Sequence, residues 1–317
     1  MTLSPIPIAT TGGEHTAQQF RMMIKDLSRD QQGVTTGLDM KVTALGTPGA
    51  GVQVSDGSAV IAGKVSTVQG HYSAYNIGAD TVPISATGGT GRSDMIVLRV
   101  EDPDYEGTRD PETDPIVFFE VVSNVSSSAT TAPSGYSAIP LARIDIPAST
   151  ATITNAMIVD LRKVANPRRE RILETYYASD PLVEISGTSE TWKTHPNLTM
   201  KTLAIPAWAK SAKVVFTAAG IRLVDGNVFG GFRFMLGTEE AAQWVNIDDN
   251  QGSPARRIHA LVMAETIDLT TTAGAAMRGT NQAFKARMRT RSTNAGKIGV
   301  DGATSFIIDV EFLEGAI

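Results

Sequence analysis

Residues Gly91 to Asp102, GRSDMIVLRVED, set Arg92 and Asp94 at the mouth of an apolar run and lead into the acidic stretch DPDYEGTRDPETD. A guanidinium beside several carboxylates at a strand end can serve chemistry, or it can brace the edge of a structural β-domain. Asp102, Asp104, Glu106 and Gly107 occupy the first, third, fifth and sixth places of a calcium-loop pattern. The twelfth place is Thr113 rather than the bidentate glutamate that such a loop needs. The segment reads as a solvated hairpin loop, with calcium left as the alternative. The four histidines, His15, His71, His195 and His259, have no partner at a metal-ligand spacing, and no metal or cofactor is expected. GGTG at Gly88–Gly91 precedes a strand, so it offers no helix N-terminus to a phosphate.

Three further constellations bear on binding. FKARMRTR presents Lys285, Arg287, Arg289 and Arg291 on one strand face, without the interleaved aromatics of a nucleic-acid stripe. It reads as a charged outer face or a subunit contact. QWVNIDDNQGS holds Trp244, Asp248, Asp249 and Asn250, a ring and polar groups of the kind that hold a sugar, although a tryptophan among apolar strand residues also suits a core. Asp309 and Glu311 alternate with Ile308, Val310 and Phe312, the mark of a solvent face, and the sequence singles out no carboxylate pair for glycoside hydrolysis.

The elements that must position these residues are mostly strands. In EHTAQQFRMMIKDLSRDQQG, Phe20, Met23, Ile24 and Leu27 recur at helical spacing, and Gly33 supplies a stop. This stripe, with the arm before it, is expected to dock on a neighbour. After Gly33 the period changes to two, in GLDMKVTA, GVQVSDG, AVIAGKV and TVPIS. DMIVLRV is apolar on both faces and should be an interior strand, with PIVFFEVVSNV its antiparallel neighbour. Pro140 and Pro147 should lie at strand ends or on an edge. Arg168, Arg169 and Arg171 read as a solvated connector. The second half gives seven more strand patterns with turns at Asp225-Gly226, Gly252-Ser253 and Asp301-Gly302. The expectation is a mostly β chain: an arm and helix over 1–32, an antiparallel β-domain over 33–165, a linker over 166–180, and a jelly-roll-like β-sandwich head over 181–317.

Bulk composition agrees. The chain of 317 residues is 42% hydrophobic and 6% aromatic, lacks cysteine and carries a net charge of −5. Disulfides and thiolate sites are thereby excluded, and no general affinity for nucleic acid is implied. No run approaches the roughly 18 apolar residues of a membrane span, and the N-terminus lacks the pattern of a signal peptide.

The order of pieces from Gly33 to Val164 resembles the N-terminal module of bacteriophage minor tail and tail-fibre proteins, particularly those of siphophages of actinobacteria. The resemblance is carried by Gly37, Leu38, Thr43 and Pro48, by Arg92 and Asp94, by the strand Ile139 to Ala148, and by Ile158, Asp160 and Arg162. Ser93 stands where the family usually has a residue such as isoleucine, and the acidic loop is longer. The resemblance implies a homotrimeric, non-enzymatic virion protein made in the host cytoplasm, docked on tail-tip or baseplate proteins. It also implies that Arg92, Asp94, Asp160 and Arg162 are structural. Two alternatives are a receptor-binding head that contacts cell-wall glycan through Trp244, Asp248, Asp249 and Asn250, and a glycan depolymerase.

Overall fold

The computed structural model describes residues 7–178, 181–252 and 255–317. The first six residues of the expected arm, the last two of the expected linker and Ser253 lie outside them. The fold is mostly β and jelly-roll-like, in two compact units: residues up to Pro167 together with Gly315–Ile317, and Arg168–Glu314.

In the first unit, helix α1 (Ala17–Leu27) is started by a capping box, in which the Gln19 N–H donates to Thr16 Oγ1 at 3.2 Å and the Thr16 N–H to Gln19 Oε1 at 2.8 Å. Ten strands follow: β1 (Gly33–Val34), β2 (Val42–Ala44), β3 (Gly51–Val54), β4 (Gly57–Ala62), β5 (His71–Asn76), β6 (Asp80–Pro83), β7 (Arg92–Val100), β8 (Val117–Val125), β9 (Ala138–Ile146) and β10 (Ile158–Asp160). They form sheets of order β1-β4-β5, β2-β3-β6 and β10-β9-β7-β8. β7 is interior, because its Ile96, Leu98 and Val100 enter the main core while Met95 and Val97 enter a second cluster with Ala138.

Two expectations change in this unit. Residues 37–40 turn instead of extending, because the Asp39 carboxylate accepts the backbone N–H of Thr36 and of Ser58. Pro140 lies inside β9, at the irregularity where the β7 register shifts between Ile96 and Val97. On α1, Arg21 points inward, while Phe20 and Leu27 of the expected docking stripe stay exposed at 45% and 72%.

The second unit comprises β11 (Arg169–Tyr177), β12 (Val183–Ile185), β13 (Lys193–Thr194), β14 (Lys201–Ala204), β15 (Ala209–Val224), β16 (Val228–Leu236), β17 (Glu239–Glu240), β18 (Val245–Asp249), β19 (Arg257–Asp268), α2 (Thr272–Met277), β20 (Asn281–Thr290), β21 (Lys297–Val300) and β22 (Ser305–Glu314). One sheet runs β11-β22-β15-β21-β12, with β19 also on β15. The other runs β13-β20-β16-β17, with β14 on β20 and β18 on β16. Residues 166–180, expected as a linker, thus hold β11. Arg168, just before it, pairs with Glu314 of β22 at 2.6 Å, and Arg171 within it with Asp309 at 2.6 Å, so neither is a free connector.

The core between the two sheets is built from alternate residues of the long strands, including Val214, Phe216, Phe232, Phe234, Phe284, Phe306 and Phe312, all fully buried. His195 is buried in the same unit, and its burial pushes the imidazole pKa down to about 4. The unfolded chain therefore takes up a proton below about pH 6.5 that the folded one refuses down to about pH 4. Stability from this group is complete above about pH 6.5 and falls by up to about 3 kcal/mol as the pH drops towards 4. Thermal unfolding of the second unit followed from about pH 7.5 to about pH 4 should show this decline, and His195→Gln should flatten it.

Candidate functional site

Arg92 and Asp94 are bound to each other and to backbone, as are Asp160 and Arg162. Arg92 Nε meets both Asp94 oxygens at 3.0 and 2.9 Å, and its other nitrogens donate to the carbonyls of Ala86 and Ser85. Asp94 also accepts the Asn124 N–H at 3.1 Å. Arg162 pairs with Asp160 at 2.7 Å and donates to the carbonyls of Gly37, Asp39 and Ile317. Each pair closes on itself and on backbone.

The acidic loop is not simply solvated. Asp102 is buried, where it accepts from Tyr72 Oη at 2.8 Å and meets Arg21 at 3.2 Å. Burial raises the Tyr72 pKa, so the hydroxyl stays protonated and donates. Glu101 pairs with Arg109 and Glu106 with Arg99. Among the described residues no group of three His, Cys, Asp or Glu is placed to hold a metal ion.

Two outward faces of the sandwich carry chemistry. On the first sheet the register sets four strands side by side in rows: Arg171, Glu311, Lys213, Thr266; Leu173, Asp309, Val215, Ala264; Thr175, Ile307, Thr217, Val262; and Tyr177, Ser305, Ala219, Ala260. Asp309 and Glu311 lie on this outer face, as their alternation implies, and Arg171 holds the Asp309 carboxyl below its ordinary pKa by hydrogen bonding. The remaining rows are largely apolar. Leu173, Tyr177 and Val262 are 61%, 65% and 56% exposed.

On the second sheet, Arg289, Gly231 and Asn246 form one row and Thr194, Arg287 and Arg233 the next. Trp192, just before β13, and Trp244, just before β18, come together above Gly231 with ring centroids 6.3 Å apart. The Arg289 guanidinium lies 4.8 Å from the Trp192 ring and 5.0 Å from that of Trp244, and Arg233 lies 4.3 Å from Trp192. Glu240 bridges Arg233 and Arg287, whose guanidinium also donates to Thr194 Oγ1 and the Trp192 carbonyl. Burial first, and then the charges of Arg287 and Arg289, lower the Arg233 pKa. Trp244 stays 46% exposed, with its indole N–H donated to Asn246 Oδ1 at 3.0 Å.

Of the four residues singled out for a sugar, Trp244 and Asp248 share this side, and the Asn250 amide donates to Asp248 at 3.2 Å. Asp249 does not join them. Successive strand residues point to opposite faces, and Asp249 turns inward to Arg257 at 2.8 Å and His259 at 3.0 Å. The arginine stripe does acquire interleaved aromatics, contrary to the sequence reading, because Trp192 and Trp244 arrive from distant segments. Gly231, Arg233 and Glu240 were missed; the only local signal was the outward spacing of Arg287 and Arg289.

No family model and no curated protein matches this chain. Among solved structures it is similar to that of the infectious bursal disease virus Gx strain, at 12% identity over 90% of this chain and 75% of the other, with a TM-score of 0.26. The VP2 subviral particle of infectious bursal disease virus gives 9% identity over 90% and 78%, with a TM-score of 0.24. An insecticidal delta-endotoxin, Cry8Ea1 of Bacillus thuringiensis, gives 9% over 90% and 52%, with a TM-score of 0.15. These findings correct the tail-module expectation, since the solved viral chains come from a virus particle and not from a phage tail. Tail-tip and baseplate partners and a phage-tail location are withdrawn with it. Likenesses this slight carry no argument about what the chain does.

A Cβ at Gly231 would stand 2.9 Å from Trp192 and 3.3 Å from Trp244. Gly231→Val should therefore part the two indoles, changing the near-ultraviolet circular dichroism and tryptophan emission while the far-ultraviolet spectrum is kept. Unchanged near-ultraviolet and emission spectra would show that the rings do not meet over this residue.

Proposed function

We propose that this chain is a structural subunit of a viral particle, which works by contact with further copies of itself and not by catalysis. The observation that carries the reading is the outer face of the β11-β22-β15-β19 strands. Leu173, Tyr177, Val215, Ile258, Val262 and Ile307 remain exposed on those strands. These side chains lie close together on one sheet face, and apolar patches of this kind are often functional. A second copy suits it, because the row beside the apolar rows holds Arg171 and Lys213 with Glu311, both signs on one patch. A two-fold contact can then set each cation against an acid of the other copy. Phe20, Met23, Ile24 and Leu27 on α1 supply a further apolar stripe for such contacts. The viral setting is a fold-level analogy, since double-sheet jelly rolls recur in virus shells and in lectins.

Mass photometry and sedimentation of the purified chain should show multimers. Val262→Glu should weaken association by about a hundredfold or more without lowering the unfolding temperature. A wild-type chain that stays monomeric at high concentration would remove the reading.

The half-exposed Trp244 beside Asn246 and Asp248 favours a second reading, in which the sandwich also recognises a glycan. Binding on a glycan array should then be lost in Trp244→Ala with folding intact.

A further inference from the structure

We infer that the Trp192–Arg289–Trp244 platform is a binding site for a carboxylate-bearing pyranose sugar, with Arg289 as the anion anchor and Trp244 as the stacking surface. The inference rests on the glycan-recognition reading and names its ligand class.

Arg289 is the unusual group. A guanidinium offers five N–H donors. Among the described residues Arg289 donates no hydrogen bond to protein, its Nε is buried without an acceptor, and its nearest carboxylate, Glu190, stands 3.7 Å away. The Arg233 and Arg287 guanidiniums share the Glu240 carboxylate, so the cluster holds three cations against two acids, Glu240 and the more distant Glu190. Burial first, and the Arg287 and Arg289 charges after it, lower the Arg233 pKa. An incoming carboxylate would supply Arg289 with the bidentate acceptor that the protein withholds. Two indoles already fix the guanidinium, so little side-chain freedom remains to be lost on binding.

The rest of the site suits a sugar ring. The open side of Trp244 can pack against pyranose C–H groups. Asn246, Asp248 and Asn250 lie along the same side and can take hydroxyl hydrogen bonds. A nucleic acid fits less well. Glu190, Glu240 and Asp248 would meet a polyphosphate backbone, and a strand needs a cationic groove that tracks it, not a single arginine anchor.

The test is a glycan array bearing neutral, carboxylated and sulfated oligosaccharides, followed by calorimetry with the best acidic ligand and its neutral counterpart, and with a thymidine decamer. The wild-type chain should prefer the carboxylated sugar by about tenfold or more, and the preference should shrink at high salt. Arg289→Gln should abolish the preference yet keep neutral binding, and Arg289→Lys should not restore it. Glu190→Gln should strengthen acidic binding, a gain that a misfolded variant cannot give. Equal affinity for acidic and neutral sugars, or an unchanged preference in Arg289→Gln, overturns the inference and leaves glycan recognition standing. A stronger response to sulfated sugars assigns the anchor to another oxyanion, and tighter binding of the decamer assigns it to nucleic acid; either also overturns it. Silence across the array and with the decamer removes both readings.

Discussion

Phe216 sits among four other rings, with centroids 5.1 Å from Phe232, 5.0 Å from Phe284, 5.9 Å from Phe306 and 6.4 Å from Phe234. Phe216 and Phe306 belong to one sheet and the other three to its partner. The cluster therefore holds the sandwich together across its middle. Each such ring pair contributes about 0.5–1.5 kcal/mol beyond simple burial. The cluster also fixes register, since a slip of one residue would expose every ring. Once Val214, Phe216 and Ala218 face inward, Lys213, Val215 and Thr217 must face outward. Once Phe232 and Phe234 face inward, Gly231 and Arg233 cannot. The character of both outer surfaces follows from where the phenylalanines are.

The two units use arginine differently. In the first, Arg21, Arg92 and Arg162 are each satisfied. Arg21 donates to the Gln69 carbonyl at 2.8 Å and to Tyr105 at 3.1 Å, meets Asp102, and lies over the rings of Tyr72 and Tyr105. These side chains cross-link loops and resemble a site only because their partners are charged. In the second unit Arg168, Arg171 and Arg257 are paired in the same way, but Arg233, Arg287 and Arg289 share few carboxylates, and Arg233 and Arg289 lean on indole faces. Satisfied pairs stabilise a fold, whereas a held but unsatisfied cation is available to something outside it.

Alternation along the longer strands was legible. DMIVLRV is the interior strand that its two apolar faces imply, with PIVFFEVVSNV antiparallel beside it, and the long strands of the sandwich lie where their period of two puts them. What was hidden depends on pairing at a distance. RERILETYY looks like a polar connector until β22 supplies acids for its arginines. GLDMKVTA alternates correctly but is bent by one aspartate. The α1 stripe has helical spacing, yet which face is buried was decided by an arginine and its partners some 50 to 80 residues on. The tryptophan–arginine platform is drawn from β16, β20 and the segments before β13 and β18, and no window of sequence contains it. Asp249 fails as a sugar contact for the plainest reason, that neighbours on a strand face opposite ways.

The chain leaves the first unit after Pro167 and rejoins it at Gly315. Between those points it starts and finishes on adjacent antiparallel strands, with Arg169 opposite Leu313 and Arg168 clamped to Glu314 by its backbone N–H at 2.9 Å and its guanidinium at 3.0 and 2.6 Å. Such a doubled stem makes the sandwich a cassette. An unrelated module with neighbouring termini can be grafted at the same two peptide bonds, because the host's own hydrophobic cluster draws no residue from the insert.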